Sequence, residues 1–404
     1  DSDSNSTSIG GFELSSLTGE RTGGGRKEPS ERGRRRGELE RDRYARNPAR
    51  TGELSRSKRT YEGLTPSVTA VKWIGAEPRR MPRVVLSSFP MIAPETYREV
   101  LADAVDEPVE IEVAELGSTE RLVEAAAGAD AVVTDINTPV TEAALDALDL
   151  DVVVRSAVGV DNVDVAAAAE RGVAVTRVPD YCTDEVATHS VTLLLSCLRS
   201  LKPYDDAVAS GEWSWEAGAP VRRVSASTIG LLSFGPIAER AAEQLSGFGA
   251  DLVAYDPFVE ADEMAAHGVE KVEFEALFDR ADHVGVYAPL TDATRGIVDA
   301  DALSRLSDDS VLVNVSRGPV VDADALLDAL ESGGIKAAGL DVLDEEPPED
   351  DPLVGRDDTV VTPHAAWYSE EARDDLNRSG AADVAAVLNG ETPEGRVDPE
   401  ADWL

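Results

Sequence analysis

The fold of this 404-residue chain is decided by the stretch Thr228-Ile229-Gly230-Leu231-Leu232-Ser233-Phe234-Gly235-Pro236-Ile237-Ala238. A short apolar run of the kind found in buried strands leads here into a glycine-containing turn and then into a helix-forming segment. Such a turn presents unpaired backbone N–H groups and the positive end of a helix dipole to a phosphate group. The stretch therefore predicts a dinucleotide-binding loop between a parallel strand and a helix.

This loop departs from the usual three-glycine pattern. Gly235 fills the second glycine position, whereas Ser233 and Ala238 stand at the first and the third. Alanine still allows close packing of the helix on the strand, but a serine side chain crowds a tight turn. We expect Ser233, Phe234, Gly235, Pro236 and Ile237 to contact the cofactor at this loop.

Asp256 follows the next strand-like run, 21 residues after Gly235. A carboxylate at this place accepts hydrogen bonds from the adenosine ribose hydroxyls and repels a 2′-phosphate. We therefore predict NAD as the cofactor in preference to NADP.

Short β-branched runs alternate with helical stretches on both sides of the loop, which is the pattern of parallel sheets wound with helices. A long helix separates two groups of strands; we expect Thr183 to cap it and Pro203 to end it. The predicted strands are 84–87, 109–113, 131–134, 152–155 and 173–176 before this helix, and 229–232, 252–255, 272, 284–287, 311–315, 337–340 and 360–361 after it.

Acidic side chains dominate the chain after its first 80 residues. Of the 38 basic and 78 acidic residues in the chain, residues 1–80 hold 17 and 12, so residues 81–404 hold 21 and 66. Such a field repels nucleic acid and anionic membranes, so we expect neither as a partner. Because the acids are scattered along every segment, they favour adaptation to molar salt; an acidic interaction surface is the alternative.

Residues 1–80 are rich in Gly, Ser, Arg and Glu without a sustained period, which predicts a disordered extension. Because Met81 opens the first strand-like run and no methionine precedes it, we favour Met81 as the true start over a basic nucleic-acid arm. We expect Cys182 and Cys197 to be buried apolar side chains, and we predict no metal site. No signal-peptide pattern and no apolar run of roughly 20 residues occurs, so we expect a cytoplasmic protein.

Polar residues end three of the strand-like runs after the loop, and they deliver Arg317, Glu346 and His364. Taken singly, each is more often a surface ion pair, a solvated acid or a turn residue. Reduction of a 2-oxo acid, however, needs a cation that holds the carboxylate and polarises the carbonyl, a histidine that donates a proton, and a carboxylate that favours the charged imidazole. The three residues suit these three roles.

The order of the segments from Met81 to about Pro399 resembles the D-isomer-specific 2-hydroxyacid dehydrogenase family. The matching segments are Val158-Gly159-Val160-Asp161-Asn162-Val163-Asp164, Val178-Pro179, Ala288-Pro289-Leu290-Thr291, Asn314-Val315-Ser316-Arg317-Gly318, Leu340-Asp341-Val342 and Thr362-Pro363-His364. The segment His364-Ala365-Ala366-Trp367-Tyr368-Ser369-Glu370 is similar to a narrower branch, the C-terminal binding proteins, which are dehydrogenase-like corepressors of transcription.

The resemblance implies roles for single residues. Arg317 would bind and polarise the substrate, His364 would be the acid/base, and Glu346 would be its carboxylate partner. Asp341 would hold the nicotinamide carboxamide, and Trp367 would line the substrate pocket or else be a buried side chain at the domain junction. Backbone N–H groups at Ala157, Val158 and Gly159 would meet the substrate carboxylate, and NAD would also contact Ala288, Pro289, Val315, Ser316, Arg317 and His364.

The implied fold is α/β, with two Rossmann-like or flavodoxin-like αβα domains built on doubly wound parallel sheets. The catalytic domain, 81–182 and 365–404, is discontinuous, and the NAD-binding domain, 183–364, is the usual dimer interface of the family. The family usually has glycine at Ser233 and arginine at Pro236, so affinity for NAD is the open question. Tyr287 also replaces a histidine common in the family.

We interpret the chain as an enzyme that reversibly reduces a small 2-oxo acid to a D-2-hydroxy acid with NAD. One alternative is a catalytically weak, NAD(H)-sensing scaffold of the same fold, similar to the corepressors. Another is a phosphoglycerate dehydrogenase, which we rank lower because the chain ends at Leu404 without a regulatory domain.

Overall fold

The computed structural model of the protein describes residues 80–401. The predicted extension 1–80 therefore lies outside the described residues except for Arg80. Within this part of the chain, twelve strands form one sheet of five and one sheet of seven, and every pair of neighbouring strands is parallel. The predicted fold class, two α/β domains with doubly wound parallel sheets, is confirmed.

The five-stranded sheet has the flavodoxin-like order β2-β1-β3-β4-β5. Ser118, Thr141 and Asp164 each cap a helix of this domain, because their side chains accept the amide three residues on. The elements are β1 Arg83–Ser87, α1 Pro94–Ala104, β2 Glu110–Ala114, α2 Thr119–Ala125, β3 Ala131–Thr134, α3 Glu142–Ala147, β4 Val152–Arg155, α4 Val165–Glu170 and β5 Ala174–Arg177.

The seven-stranded sheet has the order β12-β11-β10-β9-β6-β7-β8. This is the Rossmann arrangement, in which the strand order reverses beside β6. The elements are β6 Thr228–Leu232, α7 Pro236–Ser246, β7 Asp251–Tyr255, α8 Ala261–Ala266, β8 Glu270–Lys271, α9 Phe274–Arg280, β9 His283–Val286, α10 Ala300–Ser304, β10 Val311–Asn314, α11 Ala323–Glu331, β11 Ala337–Leu340 and β12 Thr359–Val361.

The inner strands of both sheets are apolar runs because helices cover both of their faces. Every residue of β3, β4, β9, β10 and β11 is buried, whereas the edge strand β2 has no buried residue. All of the predicted strands except Val272 agree with the observed ones to within one residue. Val272 is buried, but it follows strand β8.

The long connecting helix, α5 (Thr183–Leu198), ends earlier than predicted. Ser200 adopts a left-handed backbone conformation with φ 52°, and its hydroxyl donates to the Gly218 carbonyl at 2.8 Å. A second helix, α6 (Leu201–Ala209), begins there, so Pro203 lies in a first turn, where proline needs no amide partner. Thr183 is the first helical residue and not the cap, which is Cys182. Cys182 and Cys197 are both buried and form no disulfide.

Three short 3₁₀ turns complete the secondary structure, at Trp215–Gly218, Val224–Ala226 and Gly318–Val320. No helix between residues 80 and 401 is long and apolar enough to span a bilayer.

The end of the chain returns to the first sheet. Helix α12 (Glu370–Leu388) packs on α1 and β4, and the Asn377 side chain bonds to the backbone of Ala93 and Met91. Beyond it, the Arg177 amide donates to the Gly395 carbonyl at 2.9 Å, so the tail pairs with strand β5. The first domain is thus built from two separate stretches of the chain; the boundaries at 182/183 and 364/365 stay a prediction.

The pH dependence of stability tests the buried site of His283, the first residue of β9. Its Nδ1 accepts the Val311 amide at 3.2 Å, and burial lowers the pKa of His283 to about 4 from 6.5. Between pH 6.5 and 4 the imidazole is protonated in the unfolded chain but neutral in the folded chain. Protonation therefore favours the unfolded chain as pH falls through this range, and the protein is most stable with respect to His283 above pH 6.5. We expect up to about 3 kcal/mol of unfolding free energy to be lost over this range in urea titrations.

The His283→Asn variant keeps an acceptor near Nδ1 but does not titrate in this range. Its unfolding free energy should therefore fall less steeply between pH 6.5 and 4 than that of the wild type. Equal slopes for the two proteins would contradict a buried neutral imidazole.

Candidate active site

A cavity lies where the carboxyl ends of the two sheets face each other. Arg317 reaches it from the end of β10 and His364 from the end of β12, while the loop after β4 forms the opposite wall. The three side chains predicted as catalytic are therefore brought together. The cavity is lined by Ile136, Asn137, Arg155, Asp161, Asn162, Arg317, Gly318, Pro319, Leu343, Asp344, Glu346 and His364.

His364 and Glu346 form a directly bonded pair. His364 Nδ1 lies 2.7 Å from Glu346 Oε2, and Oε1 of the same carboxylate accepts the Leu343 amide at 3.0 Å. An ionised carboxylate at Nδ1 favours the tautomer with its proton there, which leaves Nε2 for exchange with a ligand. His364 has a left-handed backbone, φ 51°, and its amide donates to the Asp341 carbonyl at 2.8 Å.

The Glu346 carboxylate is ionised in this arrangement. Burial alone would raise the pKa of Glu346, but the hydrogen bond and charge of His364, the Leu343 amide and the charge of Arg317 together hold its pKa below the usual value. The pair therefore has a fixed negative charge beside the imidazole, as a proton donor requires.

Arg317 is held in place at three of its five N–H groups. Nε and Nη2 donate to Asp161 Oδ2 at 3.2 and 3.1 Å, and Nη1 donates to the Ser316 carbonyl at 2.8 Å. One N–H on each of Nη1 and Nη2 is left over for a ligand. A Cβ at Gly159 would lie 2.5 Å from Arg317 Nη2, so a larger residue at this position would displace the guanidinium.

Arg155 is a cavity residue that the sequence reasoning did not single out. Its side chain is 2% exposed, Nε donates to Asn162 Oδ1 at 2.8 Å, and Nη1 has no acceptor among residues 80–401. Burial and the nearby charge of Arg317 lower the pKa of Arg155 to about 10, so it is still a cation at neutral pH. The sequence could have indicated Arg155 as a site residue, because this arginine lies at the end of a fully buried strand. Arg317 was predicted because it closely follows such a strand.

The loop expected to meet a substrate carboxylate is only partly free. The Ala157 amide donates to the Arg155 carbonyl at 2.8 Å, so it is already used within the loop. The amides of Val158 and Gly159 have no acceptor in the part of the chain that the structure describes. Two of the three predicted N–H groups are therefore left for an anion.

Ser233 occupies its glycine position by adopting a glycine-like conformation. Its φ is 73°, in the left-handed region, and its hydroxyl donates to Asp256 Oδ2 at 3.0 Å. This bond to a carboxylate offsets the cost of a left-handed serine, which is about 1 kcal/mol. The Phe234 side chain is fully buried and its amide also donates to Asp256, at 2.9 Å, so that amide is not available to a phosphate.

The remainder of the loop fits a pyrophosphate. A Cβ at Gly235 would meet no atom within 4 Å, so the space above the turn is open. Pro236 is the first residue of α7, and among the described residues the amides of Gly235, Ile237 and Ala238 have no acceptor. Pro236 supplies no cation to this site, and Arg240, one turn further along α7, is paired with Asp184 and Glu243.

Asp256 directly follows strand β7 and is only 7% exposed. Oδ2 accepts the Ser233 hydroxyl and the Phe234 amide, and Oδ1 accepts the Phe258 amide at 2.8 Å. Three donors fix this carboxylate in place. Oδ1 accepts one of these bonds and so has a second lone pair, and the predicted contact with a ribose hydroxyl stays a prediction.

Asp341 binds the segment that follows His364. Oδ1 accepts the Thr362 hydroxyl at 2.6 Å and the Ala365 amide at 2.9 Å, and Oδ2 accepts the Ala366 amide at 2.9 Å. The side chain thus fixes the crossing between the two domains. Its predicted contact with a carboxamide would use the second lone pair of Oδ2, and it stays a prediction.

The other predicted cofactor residues lie along the same sheet edge. Ala288 and Pro289 follow β9, and Val315 and Ser316 follow β10, where the Ser316 amide and hydroxyl both donate to Asn314 Oδ1. Trp367 does not line the cavity; it packs against the cores of both domains, with its ring 6.2 Å from that of Tyr181. Residues 80–401 contain no group of three or more side chains suited to hold a metal ion.

Comparisons with known proteins agree with this geometry. Residues 191–366 match the family model described as D-isomer specific 2-hydroxyacid dehydrogenase, NAD binding domain. A glyoxylate reductase of Korarchaeum cryptofilum is 35% identical over 288 residues, which cover 70% of this chain and 87% of that protein. A D-3-phosphoglycerate dehydrogenase of Methanocaldococcus jannaschii is 33% identical over 296 residues, which cover 73% of this chain and 56% of that protein. The chain spans about half the length of the phosphoglycerate dehydrogenases that it matches.

Among solved structures, a D-lactate dehydrogenase of Aquifex aeolicus, complexed with NAD and lactic acid, superposes with a TM-score of 0.70. It is 24% identical, and the match covers 76% of this chain and 96% of that one, so it shows the fold. The chain therefore belongs to the D-isomer-specific 2-hydroxyacid dehydrogenase family, and its seven-stranded domain is the NAD-binding domain of that family.

Proposed function

We propose that the protein reversibly reduces a small 2-oxo acid to a D-2-hydroxy acid with NAD. The observation that carries this proposal is the bonded pair of His364 and Glu346, which shares one cavity with Arg317. A proton donor and a fixed cation are what the reduction of a carbonyl beside a carboxylate requires. When bound, NADH supplies the hydride.

The chain's own residues bind and orient the substrate and provide the proton. The two free N–H groups of Arg317 would hold the substrate carboxylate and polarise the carbonyl oxygen. The amides of Val158 and Gly159 would meet the same carboxylate from the opposite wall. His364 would then deliver its Nε2 proton to the carbonyl oxygen, while Glu346 stabilises the imidazolium before the transfer.

NAD would lie along the carboxyl edge of the seven-stranded sheet. The free amides of Gly235 and Ile237 would meet the pyrophosphate, and Asp256 would accept a ribose hydroxyl. Ala288, Pro289, Val315, Ser316 and Asp341 would border the remainder of the cofactor. We propose 183–364 as the limits of this domain, with 81–182 and 365–404 forming the substrate domain.

Several small 2-oxo acids of similar chemistry are candidate substrates. The glyoxylate reductase relative is matched over most of its length, and the phosphoglycerate dehydrogenases over about half of theirs. The buried Arg155 in the same cavity supports a substrate with an anionic or strongly polar group. We propose glyoxylate, hydroxypyruvate and its phosphate ester as the first acids to test.

Turnover of NADH tests the proposed function. Purified protein in molar KCl should oxidise NADH, followed at its absorbance band, with at least one of these acids or with a branched or aromatic 2-oxo acid. Arg317→Ala should lower kcat/KM by roughly 100-fold or more, because the substrate carboxylate and the developing oxyanion both lose their cation. The proposal fails if the wild type turns over none of the acids faster than this variant.

A second candidate function is a catalytically weak scaffold that senses NAD(H). The observation that favours it is Pro236, which leaves the pyrophosphate site without a cation of its own. Binding of NADH without turnover of any 2-oxo acid would support it. The closer resemblance to the C-terminal binding proteins would then gain weight.

The loop can be tested directly through its missing cation. Pro236→Arg should lower the NADH dissociation constant roughly 3- to 10-fold in fluorescence titrations, because it adds a charge-assisted contact at the pyrophosphate. Pro236→Gln removes the proline without adding charge and is the matched control. If both variants bind NADH equally well, the lack of a cation does not limit affinity.

We also propose that the chain forms a homodimer through its NAD-binding domain. Helix α6 buries none of its side chains, and Trp213 and Trp215, which follow it, are 91% and 73% exposed. Contiguous exposed aromatic surface of this kind is typical of a protein interface. Light scattering should give the mass of a dimer, and the double variant Trp213→Ser, Trp215→Ser should shift it to that of one chain. An unchanged mass would place the interface elsewhere.

Adaptation to molar salt and cytoplasmic location stay predictions that accompany this proposal. The first of them follows from the 66 acidic side chains after residue 80. The choice of molar KCl for the assays follows from the first of them.

A further inference from the structure

Asp161 joins the two domains at the cavity. It belongs to the loop after β4, on the five-stranded domain, whereas its partner Arg317 follows β10 on the seven-stranded domain. Its Oδ2 accepts both Nε and Nη2 of Arg317, and the two groups form a partly exposed ion pair at 3.1 Å. The side chain proposed to bind substrate is therefore oriented by a carboxylate of the other domain.

Two cations face this cavity, and Asp161 lies close to both. Arg155 and Arg317 repel each other, while the charge of Asp161 favours the charged form of Arg155. The Asp135 carboxylate and Tyr181 also act on Arg155. Of the carboxylates that act on it, Asp161 is the one that also lines the cavity and bonds Arg317. Its negative charge cancels part of the field that an anionic ligand would meet.

The loop is shaped to hold Arg317 tightly. Gly159, two residues before Asp161, permits the guanidinium to approach so closely that a Cβ would lie 2.5 Å from Nη2. Asn162, the next residue, accepts Nε of Arg155 at 2.8 Å and donates to the carbonyl of Asp135 at 2.9 Å. One short loop thus fixes the positions of both guanidinium groups.

On the basis of the proposed function, we propose that Asp161 is a positioning residue that lowers ground-state affinity for the anionic substrate and raises turnover. It directs the Arg317 fork so that its free N–H groups address the reacting carbonyl. Its negative charge also keeps Arg155 and Arg317 from binding the substrate carboxylate too strongly before the reaction. Only interactions that strengthen in the transition state increase kcat. Weaker binding of the ground-state substrate, combined with an Arg317 that is already in position, therefore favours turnover.

The test compares Asp161→Asn and Asp161→Glu with the wild type and with Asp279→Asn. The last variant removes the same charge from a surface pair with Arg305, away from the cavity. Oxalate, a planar dianion that resembles a 2-oxo acid, is titrated calorimetrically into each protein at saturating NADH. Steady-state kinetics are measured in parallel with a 2-oxo acid that the wild type reduces.

Asp161→Asn should bind oxalate roughly 5- to 10-fold more tightly and show a lower KM, because the field of Arg155 and Arg317 loses one of the negative charges that oppose it. Its kcat should fall roughly 10-fold or more, because Arg317 loses its orientation. Asp161→Glu keeps the charge, so its oxalate affinity should stay within about 2-fold of the wild type while kcat falls. Asp279→Asn should match the wild type in both measurements.

Weaker oxalate binding by Asp161→Asn, or unchanged kcat and KM, would overturn the inference. A residue with only a structural role would raise KM or lower the melting temperature, and would not tighten oxalate binding. If Asp161→Asn does not fold, a large change of oxalate affinity in Asp161→Glu contradicts the charge argument by itself. Absence of turnover in the wild type would refute the proposed function, while the oxalate titrations would still decide whether Asp161 lowers the affinity of the cavity for an anion.

Discussion

In both domains the parallel strands determine where the polar side chains of the site can lie. All strands of a parallel sheet end at the same edge, and the residues after those ends are the ones free to carry polar side chains. Here two such edges face each other, so the cavity receives residues from the ends of β4, β10 and β12. Neither domain contains the full set of groups by itself.

The cavity residues and the loop at Ser233 are each held in position by a carboxylate. Glu346 holds the imidazole of His364, Asp161 holds Arg317, and Asp341 binds the amides that follow His364. Asp256 does the same for the loop around Ser233. These four carboxylates accept bonds from donors at the cavity or at the cofactor loop, and such charge-assisted bonds fix the positions of both partners.

Sequence reasoning predicted the sheets well because their inner strands are apolar on both faces. Runs such as Val152–Arg155 are short and rich in β-branched residues, as strands buried on both faces are, so their limits could be read from the sequence. The end of α5 could not, because the left-handed turn at Ser200 depends on the distant Gly218 carbonyl. Proline in the next segment indicated a helix end, but it lies within the first turn of α6.

In the site, too, residues marked by local sequence were predicted, and residues that depend on distant contacts were not. Arg317, Glu346 and His364 were found because each follows a strand and fits a known chemistry. Asp161 lacked a role because its importance arises from its bond to Arg317, a residue of the other domain 156 positions away. Arg155 lacked one because its burial beside Asn162 and the nearby charge of Arg317 become visible only in the fold. Likewise Ser233 was expected to crowd its turn, whereas its bond with Asp256 makes the left-handed conformation tolerable.

The return of helix α12 to the first sheet has a consequence for how the protein is made. The Asn377 side chain bonds to the backbone of Met91, 286 positions earlier, and Gly395 pairs with Arg177 beside strand β5. Helices α1 and α12 share one core on this face of the five-stranded sheet, so the face is completed only when α12 has been synthesised. The seven-stranded domain lies between the two stretches of the chain and is synthesised before that point. The five-stranded domain is therefore begun before the other domain and completed after it, and in that interval part of its apolar face has no cover.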